Sequence, residues 1–371
     1  MENGVLLSDE QLVLQETAAS FLAEFGNARK PPSEDGELWR RLCELGWPAV
    51  QVPEEFDGLG LGAVELALLM EEMGRRLLRS PFLASVVLAQ TALLHAADAS
   101  ARARLLPGLA TGERRATLIL APGMVWAPAE LPIRVRRDGA GWMLDGSALQ
   151  VLDGDSADLA FVAARFDDGS AGLFEVGADA VGLERVPLSV WDETRPQSAW
   201  HFRGVRLEAS GRIDTPQLLD PGLARTVAVG ALHLAAEQVG GAAQCLDLSV
   251  AYTKERLQFG RPIASFQAVK HRCAEMMVKL ETARSAVRGI AARVDRLDDG
   301  ALQRDCAVAR VLATDAYRFC AQEAVQLHGG VGFTWEYDPQ LHFKRAQWGS
   351  GWFGGASAWR EQVAASLLDA A

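Results

Sequence analysis

The chain has 371 residues, and 37 Lys+Arg against 48 Asp+Glu give it a formal net charge of −11. At about 150 residues per domain, this length predicts two to three domains. A composition of 49% hydrophobic and 23% charged residues is that of a globular protein and excludes a disordered or fibrous chain. The acidic balance argues against nucleic-acid binding, which needs clustered positive charge.

Two further observations bear on the cellular location and on metals. No apolar run approaches the roughly 18 residues of a membrane-spanning helix, and the first residues lack a basic segment followed by an apolar one. We therefore expect a cytoplasmic protein with no membrane span. The five cysteines form no Cys-x-x-Cys pair and do not cluster with the six histidines. We expect reduced core cysteines and no metal site.

Residues 8 to about 112 have the pattern of helices. Ser8-x-x-Gln11 is a capping-box pattern, and it opens an apolar run with a period of 3.6 residues. Pro31-Pro32 interrupts this run, and a second helix is predicted from Leu38 to Trp47. A longer helix is predicted from Ala63 to about Leu78. Residues 1–112 are therefore predicted to form an all-α N-terminal domain.

The period changes to that of strands at about residue 113. Ile133 to Arg136 alternates in polarity, and Asp138 to Gly141 is typical of a turn before the next strand. A second hairpin is predicted from Asp158 to Val176, with its turn at Phe166-Asp-Asp-Gly-Ser170. Residues 113–214 are therefore predicted to form a middle antiparallel β-sandwich or barrel.

Helices return in residues 215–371, which we predict to be a C-terminal helical bundle domain. Pro221 is placed near a helix start, with the helix running to Lys254. Two long helices follow, roughly Ser265–Leu297 and Ala301–Leu327. Gly329 stands where a left-handed C-cap needs glycine. The predicted fold class is α+β multidomain.

Three stretches carry a resemblance to a known family: Tyr252–Lys270, which contains Arg-Leu-Gln-Phe-Gly; Gln326–Phe333, followed by Glu336-Tyr337; and Val52–Gly62. In this order and spacing, the whole chain resembles the acyl-CoA dehydrogenase family. The resemblance implies an N-terminal helical domain, a middle β-domain and a C-terminal four-helix domain. It also implies FAD and α,β-dehydrogenation of an acyl-CoA thioester, in which a carboxylate removes the α-proton while the β-hydride goes to the flavin.

The resemblance further implies a set of flavin contacts. In the family, the R-x-x-F-G motif, a glutamine eleven residues after its arginine, and the Q-x-x-G-G motif reach an FAD bound mainly by the neighbouring subunit. The matching residues are Arg256, Phe259, Gln267, Gln326, Gly329 and Gly330. A guanidinium fork suits a pyrophosphate, and glycine allows close backbone approach. FAD is thus expected to be shared across a subunit interface. In the structural alternative, Phe259 and the glycines only cap helices and fill the core.

The family's other flavin-binding half is not matched. Its T-E-P-x-x-G-S-D-like loop corresponds to Thr117–Met124, where only Ala-Pro-Gly remains. Its W-I-T-like strand end corresponds to Gln150–Gly154, with Gln150 at the tryptophan position and Leu152 at the threonine position. An apolar side chain cannot donate a hydrogen bond to a flavin edge.

The family's catalytic base is also missing. Counting 27 residues from Gln326 places the usual glutamate at Phe353, and the less common position, on the helix before Tyr252, falls on Gly230. No acid occurs from Arg345 to Arg360. We therefore assign no catalytic residue. Glu237, the nearest helix acid, remains an alternative base, against a role in ordinary helix packing.

The segment around the usual base position is aromatic instead, with Trp348, Trp352, Phe353 and Trp359. These rings are expected either to fill a vacated acyl pocket or to shape a pocket for an unusual substrate.

Together these features predict the degenerate partner subunit of an α2β2 member of the family, of the kind used on steroid side chains and other bulky acyl-CoAs. Such a chain acts in an oxidoreductase complex and completes another subunit's FAD site without being catalytic itself. The expected partners are an acyl-CoA and a second acyl-CoA dehydrogenase-like chain, in a homo- or hetero-oligomer (dimer or tetramer). Two alternatives stay open: an active flavoenzyme with a relocated base or altered chemistry, and a flavin-free binding or scaffold protein.

Overall fold

The computed structural model describes residues 7–26, 29 and 35–368, so the predicted break at Pro31-Pro32 lies outside the described residues. The N-terminal part is helical, as predicted. Its helices are α1 (Asp9–Phe25), α2 (Asp35–Glu44), α3 (Ala63–Arg75), α4 (Gln90–Ala96) and α5 (Ala99–Ala110), with a π-helical segment, Phe82–Ala89, leading into α4.

Helix α1 begins with the predicted capping box. The Gln11 N–H donates to the Ser8 hydroxyl at 3.2 Å, and the Ser8 N–H donates to the Gln11 side chain at 3.0 Å. Helix α3 ends three residues before the predicted Leu78, because the chain turns at Leu77, whose φ is +51°. Left-handed backbone at a leucine cannot continue a right-handed helix.

The middle part is a seven-stranded sheet. Its strands are β1 (Ala116–Ile119), β2 (Ile133–Asp138), β3 (Gly141–Leu152), β4 (Leu159–Arg165), β5 (Ala171–Gly177), β6 (Leu183–Pro187) and β7 (Gln197–Leu207). The order is β1-β4-β2-β3-β7-β6, and β5 also pairs with β4. Both predicted hairpins, β2–β3 and β4–β5, are present and antiparallel.

The sheet is mixed, where a purely antiparallel one was expected. β1 runs parallel to β4 along its whole length, and β2 meets β4 in parallel at Arg134 and Arg165. A parallel pair needs a connection longer than a hairpin, and here β2 and β3 lie between β1 and β4 in the chain. The core of the sheet includes Trp142, Phe174 and Trp200, and the ring centroids of Trp142 and Phe174 lie 5.5 Å apart, edge to face.

The C-terminal part contains α6 (Pro216–Glu255), the short strands β8 (Leu257–Gln258) and β9 (Arg261–Pro262), α7 (Gln267–Ala291), α8 (Asp299–His328), α9 (Pro339–Gly351) and α10 (Gly355–Leu368). Helix α6 begins before Pro221 and contains it. Helix α7 ends six residues before the predicted Leu297. Gly329 caps α8 with φ +64°, as its position predicted. Among the described helices, none is long and apolar enough to cross a membrane.

The chain divides into two compact units. The first comprises residues 1–30, 63–78 and 231–371, and the second comprises 31–62 and 79–230. The division at residues 112 and 214 stays a prediction. Within the first unit, α3 crosses α6 closely. A Cβ at Gly74 would lie 1.9 Å from the Glu237 carbonyl oxygen, and one at Gly240 would lie 1.7 Å from that of Glu71. Both positions therefore require glycine.

Candidate functional site

Three of the predicted flavin contacts follow the end of α6. Arg256 comes directly after the helix, Phe259 lies between β8 and β9, and Gln267 is the first residue of α7. The Arg256 N–H donates to the Tyr252 carbonyl at 2.9 Å, and the Arg256 carbonyl accepts from the Ile263 N–H at 2.9 Å. The backbone is thus fixed on both sides while the Arg256 side chain faces solvent.

The other three contacts lie at the end of α8, where Gln326 is followed by Gly329 and Gly330. No atom lies within 4 Å of a Cβ built on either glycine. The Tyr252 and His328 rings stack at 4.3 Å, which joins the ends of α6 and α8. Burial lowers the pKa of His328, so this ring stacks in its neutral form at neutral pH.

All six residues are exposed on the chain's surface. Phe259 is 91% exposed with φ +53°, so it does not fill the core. An outward guanidinium, an outward aromatic ring and two glycines with open space above them fit a dinucleotide approached from outside the chain. The residues present therefore fit a dinucleotide such as FAD.

The family's usual base position lies between α9 and α10 in the same unit. Phe353 is only 2% exposed and adopts φ +60°, and its neighbour Trp352 is 7% exposed. The rings of Trp348 and Trp352 pack at 5.1 Å. Trp359 is also buried. The aromatic side chains thus fill space here, and Phe353 brings no group that can take a proton. Gly230, at the other base position, is buried within α6.

A buried arginine, which the sequence reading missed, holds this segment. Arg310 of α8 donates to the side chains of Gln238 and Thr314 and to the carbonyls of Gly349 and Trp352. Those carbonyls close α9, where a helix end carries partial negative charge. Burial lowers the pKa of Arg310 to about 9, so it remains charged at neutral pH. The sequence feature that could have identified Arg310 is its position on the alanine-rich face of α8.

The alternative base, Glu237, is part of a buried ion pair. Arg345 of α9 donates to its carboxylate at 2.6 Å, and both side chains are 2% exposed. Three residues before Arg345, on the same helix, His342 Nδ1 lies 2.9 Å from the Tyr317 hydroxyl. Glu237 therefore belongs to a buried polar network that joins α6, α8 and α9.

The unmatched flavin-binding half lies in the second unit. Leu152 is fully buried, and its carbonyl accepts a hydrogen bond from the Thr117 hydroxyl at 2.8 Å. Leu118–Met124 and Ser147–Gln150 of β3 line one cleft of about 520 Å³. Leu152, at the family's threonine position, has no hydroxyl and does not line this cleft. This half does not fit a flavin ring edge.

The described part of the chain contains no group of three or more His, Cys, Asp or Glu side chains placed to hold a metal ion. The five cysteines are free thiols, of which Cys245, Cys306 and Cys320 are buried.

Solved structures share this fold. The ChsE4–ChsE5 complex from Mycobacterium tuberculosis contains a chain 25% identical, with a TM-score of 0.87 over 98% of this chain and 99% of that one. A variant of the Tcur3481–Tcur3483 steroid ACAD is 28% identical, with a TM-score of 0.85 and 98% of both chains covered. The predicted fold class is confirmed.

Sequence comparison gives the family. Residues 8–113 match the acyl-CoA dehydrogenase N-terminal domain, and residues 223–368 match the acyl-CoA dehydrogenase C-terminal domain. The acyl-CoA dehydrogenase IpdE2 of Mycolicibacterium smegmatis is 35% identical over 350 residues, which cover 92% of this chain and 93% of that protein. The chain belongs to the acyl-CoA dehydrogenase family.

Proposed function

We propose that this chain is the non-catalytic partner subunit of a heteromeric acyl-CoA dehydrogenase and completes the FAD site of a second family member. The proposal rests on the contrast between the groups that are retained and the groups that are lost. The six residues that would contact a neighbour's FAD are present and exposed, whereas Phe353 and Gly230 stand at the two base positions. The loss is confined to groups that would serve the chain's own cofactor and substrate.

Four of the six retained residues have a definite task in this role. Arg256 would bind the pyrophosphate, Phe259 would pack beside the dinucleotide, and the open backbone at Gly329 and Gly330 would let it approach closely. Bound FAD supplies the hydride acceptor for oxidation of an acyl-CoA. The proton acceptor would come from the partner chain.

The partner would be another acyl-CoA dehydrogenase-like chain. Helix α7 has two neighbouring apolar side chains that are exposed in the single chain. Met277 is 48% exposed and Val278 is 66% exposed, which suits burial against a second subunit. The ChsE4–ChsE5 and Tcur3481–Tcur3483 proteins pair two differently named chains. The second is called a steroid ACAD, and we propose a bulky acyl-CoA as the substrate class here.

The active-flavoenzyme alternative needs a base within this chain. Glu237 is buried and ion-paired with Arg345, which suits a structural role better than proton abstraction. No other observation favours that alternative.

The lone chain is expected to be colourless and inactive. With Leu152 buried and no base at Phe353, purified protein should lack the flavin absorbance bands and should not reduce a ferrocenium acceptor with saturated acyl-CoAs. Co-expression with its partner should yield a yellow complex. Stoichiometric FAD in the chain purified alone would contradict the proposal.

Arg256→Ala is expected to weaken FAD retention in the reconstituted heteromer by about 10- to 150-fold. A charge-assisted hydrogen bond contributes roughly 1.5–3 kcal/mol, which corresponds to this range. The exposed Arg256 side chain is not part of the core, so the melting temperature of the chain should stay nearly unchanged. Released flavin is measured by fluorescence after dilution, and melting is followed by circular dichroism.

Arg296→Ala is the matched control. Arg296 is also exposed but follows the far end of α7 from Gln267, about 37 Å along a 25-residue helix. It should leave FAD retention unchanged. If Arg256→Ala keeps the flavin and unfolds the chain instead, Arg256 is a structural residue and the cross-subunit role is wrong.

A further inference from the structure

Four arginines lie on the outer face of the sheet in the second unit. They form a surface that we call the arginine face, which consists of Arg134, Arg136, Arg165 and Arg206. Each of them stands next in the sequence to a residue of the sheet's core, namely Ile133, Val135, Ala164 or Val205. Because successive side chains of a strand point to opposite faces, the four guanidinium groups point away from that core.

Two of these arginines are direct neighbours on adjacent strands. Arg134 of β2 pairs in parallel with Arg165 of β4, and like charges placed opposite each other on one face of a sheet repel. On its other side Arg134 is in register with Asp145 of β3, whose carboxylate already accepts the Gly204 N–H at 2.7 Å. One carboxylate beside two arginines leaves an excess of positive charge at this point of the sheet.

A row of three side chains extends the arginine face across β2, β3 and β7. Arg136 is in register with Met143, and Met143 is in register with Arg206. The Arg136 Nη2 lies 2.7 Å from the Met143 sulfur, and a thioether is only a weak acceptor. Arg206 is ion-paired with Asp138 at 2.9 Å, but these two side chains are 74% and 35% exposed. A pair this exposed contributes little energy, so Arg206 can exchange Asp138 for another carboxylate.

The arginine face is positive within an acidic chain. Its four arginines are in register with, or paired to, the two carboxylates of Asp138 and Asp145, whereas the formal net charge of the whole chain is −11. In the described part of the chain, the Arg134 side chain has no hydrogen bond or ion pair. Arg165 donates to the Ala129 carbonyl at 3.1 Å, which is a neutral partner. The positive charge of the face is therefore only partly compensated.

We propose that the arginine face binds a partner protein through a cluster of aspartate and glutamate side chains on that partner. A guanidinium group binds a carboxylate through two parallel hydrogen bonds, and arginine and methionine are enriched at protein interfaces. Because the chain as a whole is acidic, such a cluster is repelled by most of its surface and attracted to this face. The six flavin contacts belong to the first unit, so the proposal goes beyond the partner-subunit role.

The test uses an octaglutamate peptide with a rhodamine label, whose binding to the purified chain is followed by fluorescence anisotropy. We expect saturable binding with one site per chain in about 30 mM NaCl, and an affinity at least about tenfold lower in about 300 mM NaCl, because salt screens exposed charges. A thymidine octanucleotide and coenzyme A, which carry phosphates in place of carboxylates, are added as competitors. Each should compete less well than unlabelled octaglutamate.

Two matched variants locate the site. Arg134→Gln should weaken peptide binding by about 3- to 10-fold, the loss of one charge-assisted contact. Arg114→Gln removes the same charge from another exposed arginine of the second unit and should have no effect. The residue after Arg114, Arg115, binds Asp158 just before β4, whereas Arg165 ends that strand. The two variants therefore lie about 20 Å apart along the sheet.

Three results would overturn the proposal. They are the absence of saturable binding, equal affinity of the Arg134→Gln and Arg114→Gln variants for the peptide, and stronger competition by the octanucleotide or coenzyme A than by octaglutamate. The double variant Arg134→Gln/Arg136→Gln, which removes two exposed charges, should weaken binding by at least about tenfold. The Arg256 experiment concerns the first unit and does not involve this face, so the two proposals can fail separately.

Discussion

The Glu237→Gln variant is expected to lose about 3–5 kcal/mol of unfolding free energy, because it removes one partner of a buried ion pair. Glu237 and Arg345 meet at 2.6 Å with both side chains 2% exposed, so water cannot replace the lost carboxylate. The same carboxylate opposes the effect of burial on the pKa of Arg310. Denaturant unfolding followed by tryptophan fluorescence measures the loss.

An exposed ion pair provides the control. Asp315 and Arg360 meet at 2.5 Å, but their side chains are 47% and 56% exposed. Asp315→Asn should cost less than about 1 kcal/mol, as is usual for surface pairs. If Glu237→Gln is no less stable than this control and abolishes acyl-CoA oxidation by the chain, then Glu237 is a catalytic base. The active-flavoenzyme alternative would then hold.

Acidification from pH 6.5 to pH 5 is expected to remove about 2 kcal/mol of stability through His342 alone, at 1.36 kcal/mol per pH unit. Burial, and then the charge of Arg345, lowers the pKa of His342 to about 3. An unfolded histidine has a pKa of about 6.5, so between these values the unfolded chain binds a proton that the folded chain does not. Stability is therefore complete above pH 6.5 and falls as the pH approaches 3.

His342→Gln tests this dependence, because glutamine is neutral throughout the window and its amide can still hydrogen-bond to Tyr317. The variant should show a shallower loss of unfolding free energy between pH 7 and pH 5. His271→Gln, at an exposed position of α7, should keep the slope of the unmodified chain. Equal slopes for His342→Gln and the unmodified chain would show that another group titrates.

Sequence signals sufficed where one short stretch determines the conformation. The Ser8 and Gln11 side chains cap α1 reciprocally, and Asp168-Gly169 turns β4 into β5, with φ +87° at the glycine. Gly329 ends α8 for the same local reason. In each case the partners are at most a few residues apart, so pattern and structure agree.

Contacts between residues far apart in the sequence could not be predicted from local patterns. Glu237 and Arg345 are 108 residues apart in the sequence. The helix pattern alone does not show whether a charged residue is exposed to solvent or buried against a distant partner. β1 and β4 are neighbours in the sheet, although β2 and β3 lie between them in the chain. The cleft likewise needs the turn after β1 and the end of β3 to be side by side, which neither stretch reveals alone. The six exposed flavin contacts came from the family resemblance, and their role remains a proposal.

The buried carboxylate of Glu71 on α3 sets an order of events during synthesis. Its partners Arg284 and Arg288 lie 213 and 217 residues further along the chain, which at 5–20 residues per second means a delay of about 10–40 s on the ribosome. During that time the Glu71 carboxylate on α3 has no arginine partner from α7. The second unit ends at residue 230, so all of its residues are synthesised before the two arginines that pair with Glu71.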